Sequence, residues 1–420
     1  MKKLLMLSGV AQMCEIVQDA QRKGIYVIVT DYLSNSPAKK IADESLMFSI
    51  DDVDGIVDYC HNNRVDGVMN YCMDYGQKPY QQICEKLGLP CVGSKAQFDV
   101  MTNKDEFKKS CQQYGVDVIQ DYELDENLRY SDVEAIEFPV ILKPVDGRAS
   151  RGITVCQTKE DLSIAVQNAL KNSKRKKFVV EKYLRGYDEV CAKYVVCDGE
   201  PYLTSMADVY DCNTPSGERA YIGTQTYPSK HYSIFLKETD EKLRRMISGL
   251  GIKNGALSFT GFRDGETFRF FDPSFRMGGA QEWRLVATIS GVDISGLLTN
   301  FALTGKMGHQ RDVAKIDKKF SEKSSALLYF LVKEGKIGKI YGLEAAAMLP
   351  AVIGYHASHI EGDVITQAGT VDHVVVRFLL VCDDNEKLRD NILKIQNIVS
   401  ITDEQGKDMC LPLFDARNLV

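Results

Sequence analysis

The stretch Phe138-Pro-Val-Ile-Leu-Lys-Pro-Val-Asp-Gly-Arg-Ala-Ser-Arg-Gly-Ile-Thr-Val-Cys156 decides the fold. Val140 to Leu142 is a short apolar run that reads as a strand and ends on Lys143 and Pro144. A loop carrying Gly147, Ala149, Ser150 and Gly152 follows, and then a second apolar run, Ile153 to Cys156. Strand, small-residue loop, strand predicts a flap. Gly147 and Gly152 tolerate positive φ and let the backbone approach a ligand closely. Successive free N–H groups in such a turn form an anion-binding nest. Lys143 places a positive charge at its edge, with Arg148 and Arg151 around it. A polyphosphate is the simplest ligand for that arrangement. The alternative is an ordinary hairpin with a basic turn.

The rest of the chain narrows the class. Its 420 residues, 44% hydrophobic and 26% charged, have the composition of a globular protein, with room for about two to three domains. A net charge of −6 argues against nucleic acid as the main partner. The one basic run, Lys174 to Lys177, reads as a solvated turn between a helix and a strand. Twelve cysteines include no C-x-x-C pair, and several (Cys72, Cys156, Cys191, Cys382) lie in apolar runs. The apolar opening, Met1 to Leu7, has a strand's length rather than a signal peptide's. No apolar run reaches membrane-spanning length. These features predict a cytoplasmic protein with buried thiols, and neither a membrane nor a nucleic-acid partner.

Upstream of the flap, residues 4–7 read as a strand, Ser8-Gly9 as a turn, 11–22 as a helix, and Tyr26 to Thr30 as a second strand ending at Asp31. Strand–helix–strand favours a parallel, doubly wound sheet. A single glycine in the first turn excludes the dinucleotide fingerprint. Asp31 reads as a turn cap or as a ribose contact. Helices at 54–62 and near 77–87, a strand at Gly67 to Asn70 and another at Leu89 to Val92 continue the alternation, for five strands expected before residue 98. Thr102 is the expected cap of the next helix, with Asp105 and Glu106 in its first turn. Lys104 there opposes the helix dipole, which marks either a ligand contact or a surface lysine.

Downstream, Asp161 to Ala169 reads as a helix, and Phe178 onward and Val190 to Val196 as strands. Ala256 to Phe262 and Thr267 to Phe271 read as an antiparallel hairpin. It leads into Asp272-Pro-Ser-Phe-Arg-Met-Gly-Gly-Ala280. Asp272 and Ser274 carry oxygens of the kind Mg²⁺ prefers, and Arg276 suits a phosphate or carboxylate. The alternative is a plain turn. Beyond about residue 310, short strands and glycine turns predict an α+β cap. His356, His359, Glu361 and Asp363 form only a faint metal pattern. Neither a Walker loop nor a G-x-S-x-G elbow occurs.

Taken in order, these pieces resemble the ATP-grasp superfamily, in layout the group of biotin carboxylase, the carbamoyl phosphate synthase large subunit and the carboxylate–amine ligases. The resemblance rests on residues 138–153, on Glu181-Lys-Tyr-Leu184, and on Asp272 with Arg276-Met-Gly-Gly279. It implies an α/β ATP-grasp fold: an N-terminal doubly wound parallel domain at 1–98, a two-part ATP clamp at 99–310 with a flap subdomain about 115–182, and a small C-terminal α+β domain at 311–420. It implies ATP and Mg²⁺ as cofactors. The implied activity is a ligase that activates a carboxylate as an acyl-phosphate, joins it to an amine, and releases ADP and phosphate.

The resemblance also implies roles. Lys104 and Lys143 would contact the α- and β-phosphates. Gly147, Ala149 and Ser150 would cover the phosphates as the flap closes. Glu181 and the main chain of Lys182 and Leu184 would read the adenine edge, and Glu189 or Asp188 the ribose. Asp272 and Ser274 would hold metal, and Arg276 would steady the transferred phosphoryl group. From the residues alone, Trp283, Arg284 and Tyr221 read either as lining of an acid pocket or as packing and surface positions; a homodimer is common in the resembled group. One departure matters. The family places a Glu on the first hairpin strand and a Glu and an Asn at its exit, where this chain has Thr260, Asp272 and Ser274. One carboxylate neutralises little of two Mg²⁺ ions. One-metal catalysis, rescue by Glu282 or Glu266, or a nucleotide-binding protein that no longer turns over are the readings this leaves.

Overall fold

The computed structural model describes residues 1–127, 130–145, 152–184, 186–213, 219–316, 320–366 and 373–419. Gly147, Ala149 and Ser150 of the flap lie outside the described residues.

The chain opens with a parallel sheet of four strands in the order β3-β2-β1-β4. These are β1 (Lys3–Leu7), β2 (Tyr26–Thr30), β3 (Glu44–Leu46) and β4 (Gly67–Met69). Side chains alternate between the two faces of a strand, and β1 uses both. Leu4 and Met6 join the cluster with Ile16 and Val17 of α1 (Cys14–Arg22). Leu5 and Leu7 join Ile56 of α2 (Val53–Asn63) and Ile83 of α3 (Gln77–Leu87). Helices on both faces explain why β1 is apolar throughout.

Two expectations are corrected here. Four strands form, not five: three of the four placed above, and β3, which was not among them. Leu89 to Val92 is irregular, because Pro90 has no N–H to offer a ladder. The Leu89 N–H instead closes α3 on Cys84 O (3.0 Å), and Val92 N–H bonds the Tyr80 hydroxyl (3.3 Å). The second correction concerns the cap. Thr102 ends one helix, α4 (Lys95–Thr102), and bonds back to Phe98 O (2.7 Å). Asn103 caps the next, α5 (Lys104–Gln113), by accepting from Asp105 N (3.0 Å). Its short amide satisfies a first-turn N–H that Thr102, still helical, cannot reach.

The flap strands form a small antiparallel sheet, ordered β5-β8-β6-β7. They are β5 (Asp121–Tyr122), β6 (Val140–Pro144), β7 (Thr154–Cys156) and β8 (Phe178–Lys182). The helix Leu162–Asn172 covers one face.

The largest sheet has eight antiparallel strands, β13-β12-β9-β10-β11-β14-β18-β16. In chain order they are β9 (Glu189–Cys197), β10 (Glu200–Asn213), β11 (Arg219–Tyr227), β12 (Gly255–Asp264), β13 (Thr267–Ser274), β14 (Ser324–Leu331), β16 (Val352–Ala357) and β18 (Val374–Cys382). Thr224 of β11 pairs with Leu328 of β14, so the sheet runs on without a break into the C-terminal part of the chain. A third antiparallel sheet holds β15 (Gly335–Tyr341), flanked by β17 (Val364–Ile365) and β19 (Ser400–Asp403).

Phe259 sits under the hairpin, fully buried, stacked on Phe107 of α5 and edge-on to Tyr194 and Phe270. It ties α5 to the large sheet. Phe259→Ala should cost about 3–5 kcal/mol of stability. A urea-unfolding series would check it, and a cost under about 1 kcal/mol would mean that this contact does not hold α5 in place.

Candidate functional site

Three elements converge on one cleft. The first is α5, entered from the Asn103 cap, which carries Lys104 and, one turn later on the same face, Lys108. The second is the flap sheet, where the antiparallel register sets Glu181 of β8 beside Ile141 of β6 and Asp121 of β5. The third is the β12–β13 hairpin with the segment that leaves it.

Glu181 is the electrostatic hub. It is 2% exposed, and its two oxygens take Lys108 Nζ at 2.8 Å and Lys143 Nζ at 2.6 Å. Lys108 also meets Asp121. Burial alone would push the Glu181 carboxyl up. The two lysines, Lys143 first, outweigh it and hold the value at about 2. With its carboxylate so engaged and its strand paired on both sides, Glu181 has no free carboxylate oxygen for a nucleobase. Next along, Lys182 N–H goes to Gln120 O (2.9 Å) and Tyr183 N–H to Pro139 O (2.9 Å). The Leu184 N–H has no backbone partner among the described residues. The Lys182 side chain reaches outward to Glu137 (3.2 Å).

Lys104 makes no ion pair among the described residues. Its amine faces the open cleft, yet the walls exclude enough water to lower its pKa, and the charge of Lys143 lowers it further. Lys143 also lies 5.7 Å over the ring of Phe271. Two cations share this space, and of the two Lys143 is the one paired with a carboxylate among the described residues.

The hairpin register places Thr260 directly across from Asp272, and Ser258 across from Ser274. Asp272 is therefore the single carboxylate on that row. It too is open to the cleft, and the crowding walls push its carboxyl up; Lys104 opposes this and Asp74 adds to it. Asp74 is a residue that sequence reasoning missed. It follows β4 of the N-terminal parallel sheet. Its carboxylate takes the Arg276 guanidinium as a fork (Nε–Oδ1 2.7 Å, Nη2–Oδ2 2.6 Å) and also accepts the Ser274 hydroxyl (3.1 Å). Arg276 spends its remaining Nη1 on Met277 O (2.7 Å). The structure thus brings Asp272, Ser274 and Arg276 together, with the last two tethered to Asp74.

Neither expected rescue carboxylate joins them. Glu266 is exposed in the turn at the far end of the hairpin. Glu282 is buried and paired with Lys193 at 2.7 Å. Among the described residues no cluster of three or more His, Cys, Asp or Glu is placed to hold a metal. This includes the faint pattern at 356–363, where His359 meets Asp363 (3.3 Å). Mg²⁺ is often held by one or two carboxylates plus the phosphates of a nucleotide. Asp272, with Asp74 beside it, fits that minimum.

The remaining candidates sort by contact. Asp188 meets Lys230 Nζ (2.9 Å) and His231 Nε2 (2.7 Å), while Glu189 opens β9, buried. Asp31 is a structural tie, accepting from Gly9 N (2.8 Å) and Leu33 N (2.9 Å). Trp283 is buried edge-on to Tyr71 (6.4 Å). Arg284 pairs with Glu15 (2.8 Å). All twelve cysteines are free thiols. No single helix among the described residues is long and apolar enough to cross a membrane.

Comparison with known proteins places this geometry. Residues 136–260 match the family model described as an ATP-grasp domain. The formate-dependent phosphoribosylglycinamide formyltransferase of Prochlorococcus marinus is 25% identical over 177 residues, which cover 42% of this chain and 45% of that protein. The chain thus aligns with about half the length of the curated relatives it matches first. Among solved structures, an L-amino acid ligase from Bacillus licheniformis superposes with a TM-score of 0.78 at 18% identity, covering 96% of this chain and 99% of that one. The biotin carboxylase domain of the Hydrogenobacter thermophilus 2-oxoglutarate carboxylase, solved with MgADP and bicarbonate, gives 0.76 at 17% identity, covering 96% and 90%. These superpositions show that the fold is shared over nearly the whole chain.

Proposed function

We propose, from the premise that this chain carries an ATP-grasp domain, that it is an ATP-dependent ligase: it phosphorylates a small carboxylate and passes the acyl group to an amine. One observation carries the reading. The unpaired Lys104 and the Glu181-anchored Lys143 converge beside Asp272, within reach of Arg276. Phosphoryl transfer needs little else from a protein than positioned cations. In this reading Lys104 and Lys143 hold the nucleotide phosphates. The Leu184 N–H and neighbouring main chain meet the adenine edge, and Glu189 or Asp188 the ribose. Asp272 would hold Mg²⁺, which when bound would supply charge neutralisation for the phosphates. Ser274 would join it only on leaving Asp74. An acyl-phosphate formed here must be shielded from water, which would otherwise consume it.

The balance is simple. A carboxylate oxygen attacks the γ-phosphorus and ADP leaves. The amine then attacks the acyl carbon, phosphate leaves, and the amine proton goes to solvent or to a base. The test is product analysis by phosphorus NMR across panels of acids and amines. ADP and phosphate formed only when both acid and amine are present support the reading. AMP and pyrophosphate would overturn the acyl-phosphate route.

A second reading has its own support in the sparse metal site, where Thr260 faces Asp272. It is a nucleotide-binding protein without turnover. Nucleotide affinity indifferent to Mg²⁺, with no ADP formed on any panel, would favour it.

The tether on Arg276 gives a further prediction. Asp74 fixes the plane of the guanidinium, so Asp74→Asn should lower turnover by about tenfold or more while leaving ATP affinity nearly unchanged. Single-turnover kinetics beside equilibrium ATP binding would check it. An equal loss in both would place Asp74 in nucleotide binding instead.

A further inference from the structure

Beyond the phosphate cleft, one buried arginine makes no ion pair among the described residues. Arg377, on β18, is 6% exposed. It projects toward the loop that follows Arg276. Its Nη2 makes two long contacts, to Gly279 O (3.4 Å) and Gln281 Oε1 (3.5 Å), and its guanidinium lies 5.5 Å over the ring of Tyr329. Its Nε is buried without a hydrogen-bond partner. No carboxylate among the described residues lies within ion-pair distance of it. The neighbouring cations are all matched: Lys193 by Glu282, Arg276 by Asp74, Arg284 by Glu15. A buried, unmatched guanidinium is costly, and its planar fork suits a carboxylate.

Two further features point the same way. His356 is the direct cross-strand neighbour of Arg377, and its buried Nε2 also has no partner. Burial, then the charges of Arg377 and Arg284, depress its pKa to about 4. The imidazole is therefore neutral near pH 7 and brings a polar atom without adding repulsion. The loop above also leaves room. A Cβ added at Gly279 would meet nothing nearer than the Cys72 Cβ at 3.9 Å, whereas one at Gly278 would strike the Glu282 carboxylate at 2.4 Å. Gln281, which accepts from Arg377, holds a left-handed φ of 63°. That backbone is uncommon for a residue with a side chain and is found at ligand clamps.

We propose that Arg377, with His356 beside it and Gly279 above, anchors a carboxylate group of one of the ligase's organic substrates. The proposal rests on the ligase reading for the ligand's identity, but on the unmatched arginine for the site. That carboxylate belongs either to the acid that is activated or to an acceptor that is itself an amino acid.

The test is calorimetric titration of the full-length protein with two probes, acetate and glycine, beside a separate titration with a non-hydrolysable ATP analogue. Wild type should bind a probe. Arg377→Met should weaken that binding by about tenfold or more, since a charge-assisted pair is lost. ATP-analogue affinity should stay unchanged. The variant's thermal midpoint without probe should equal or exceed that of wild type, because a buried unmatched charge has gone. Should Arg377→Met fail to fold, the buried charge has a structural partner and the proposal is overturned. Gly279→Val, which fills the space and keeps the arginine, should likewise weaken the probe. Comparable acetate and glycine binding supports the acid as the source, and tighter glycine binding supports an amino-acid acceptor. Probe binding absent from wild type, or intact in both variants, overturns the site. Loss of nucleotide binding alone would sink the ligase reading and leave this site standing.

Discussion

Glu181→Gln should lower the unfolding free energy by about 3 kcal/mol at pH 7, following from a folded pKa of about 2 against an ordinary value of 4.5. The physical cause is the buried pair of lysines it serves. With the carboxylate gone, Lys108 and Lys143 face each other across a neutral amide. Breaking one side of a buried pair typically costs about 3–5 kcal/mol, in agreement. The pH dependence follows from the sign of the shift. The folded pKa is depressed, so the stabilisation is complete above about pH 4.5 and disappears as pH falls through about 2. The gap between wild type and variant in urea midpoint should shrink to about half by pH 3. A gap that stays constant from pH 7 to pH 3 would mean that Glu181 is not the charged hub described here.

Lys143→Ala should weaken ATP binding by about ten- to a hundredfold, the scale of a lost charged hydrogen bond to phosphate. Glu181 keeps Lys108 as a partner, so the variant should remain folded. Arg276→Ala is the control. Its guanidinium is tied to Asp74 and lies past the hairpin exit, so its loss should abolish turnover while ATP affinity changes little. Equilibrium binding of a fluorescent ATP analogue to both variants separates the cases. If both bind ATP equally well and neither turns over, Lys143 does not hold the phosphates.

Much of this site was readable along the chain because its parts are local. The flap strands and the β12–β13 hairpin declare themselves by apolar runs around turn residues, and Lys143, Asp272 and Arg276 sit at strand exits. What was missed depends on distant pairings. Nothing near Asp74 hints that it will clasp a guanidinium 202 residues later. Arg377 looks like an interruption in an apolar strand until the fold shows that no carboxylate among the described residues pairs with it. Lys108 was within reach, since it repeats Lys104 one helical turn on and a second cation on that face implies a carboxylate opposite. The cap at Asn103 was misplaced because Thr102 is an equally good capping residue by type. Only the end of the preceding helix decides between them. The strand expected at 89–92 failed for a local reason that Pro90 announces.

Where a nucleotide sits tests the assignment of the phosphate site most directly. A crystal structure with a non-hydrolysable ATP analogue and Mg²⁺ should show the adenine against Leu184, the phosphates between Lys104 and Lys143, and a metal on Asp272. A nucleotide bound elsewhere, with Lys104 still facing an empty cleft, would contradict it.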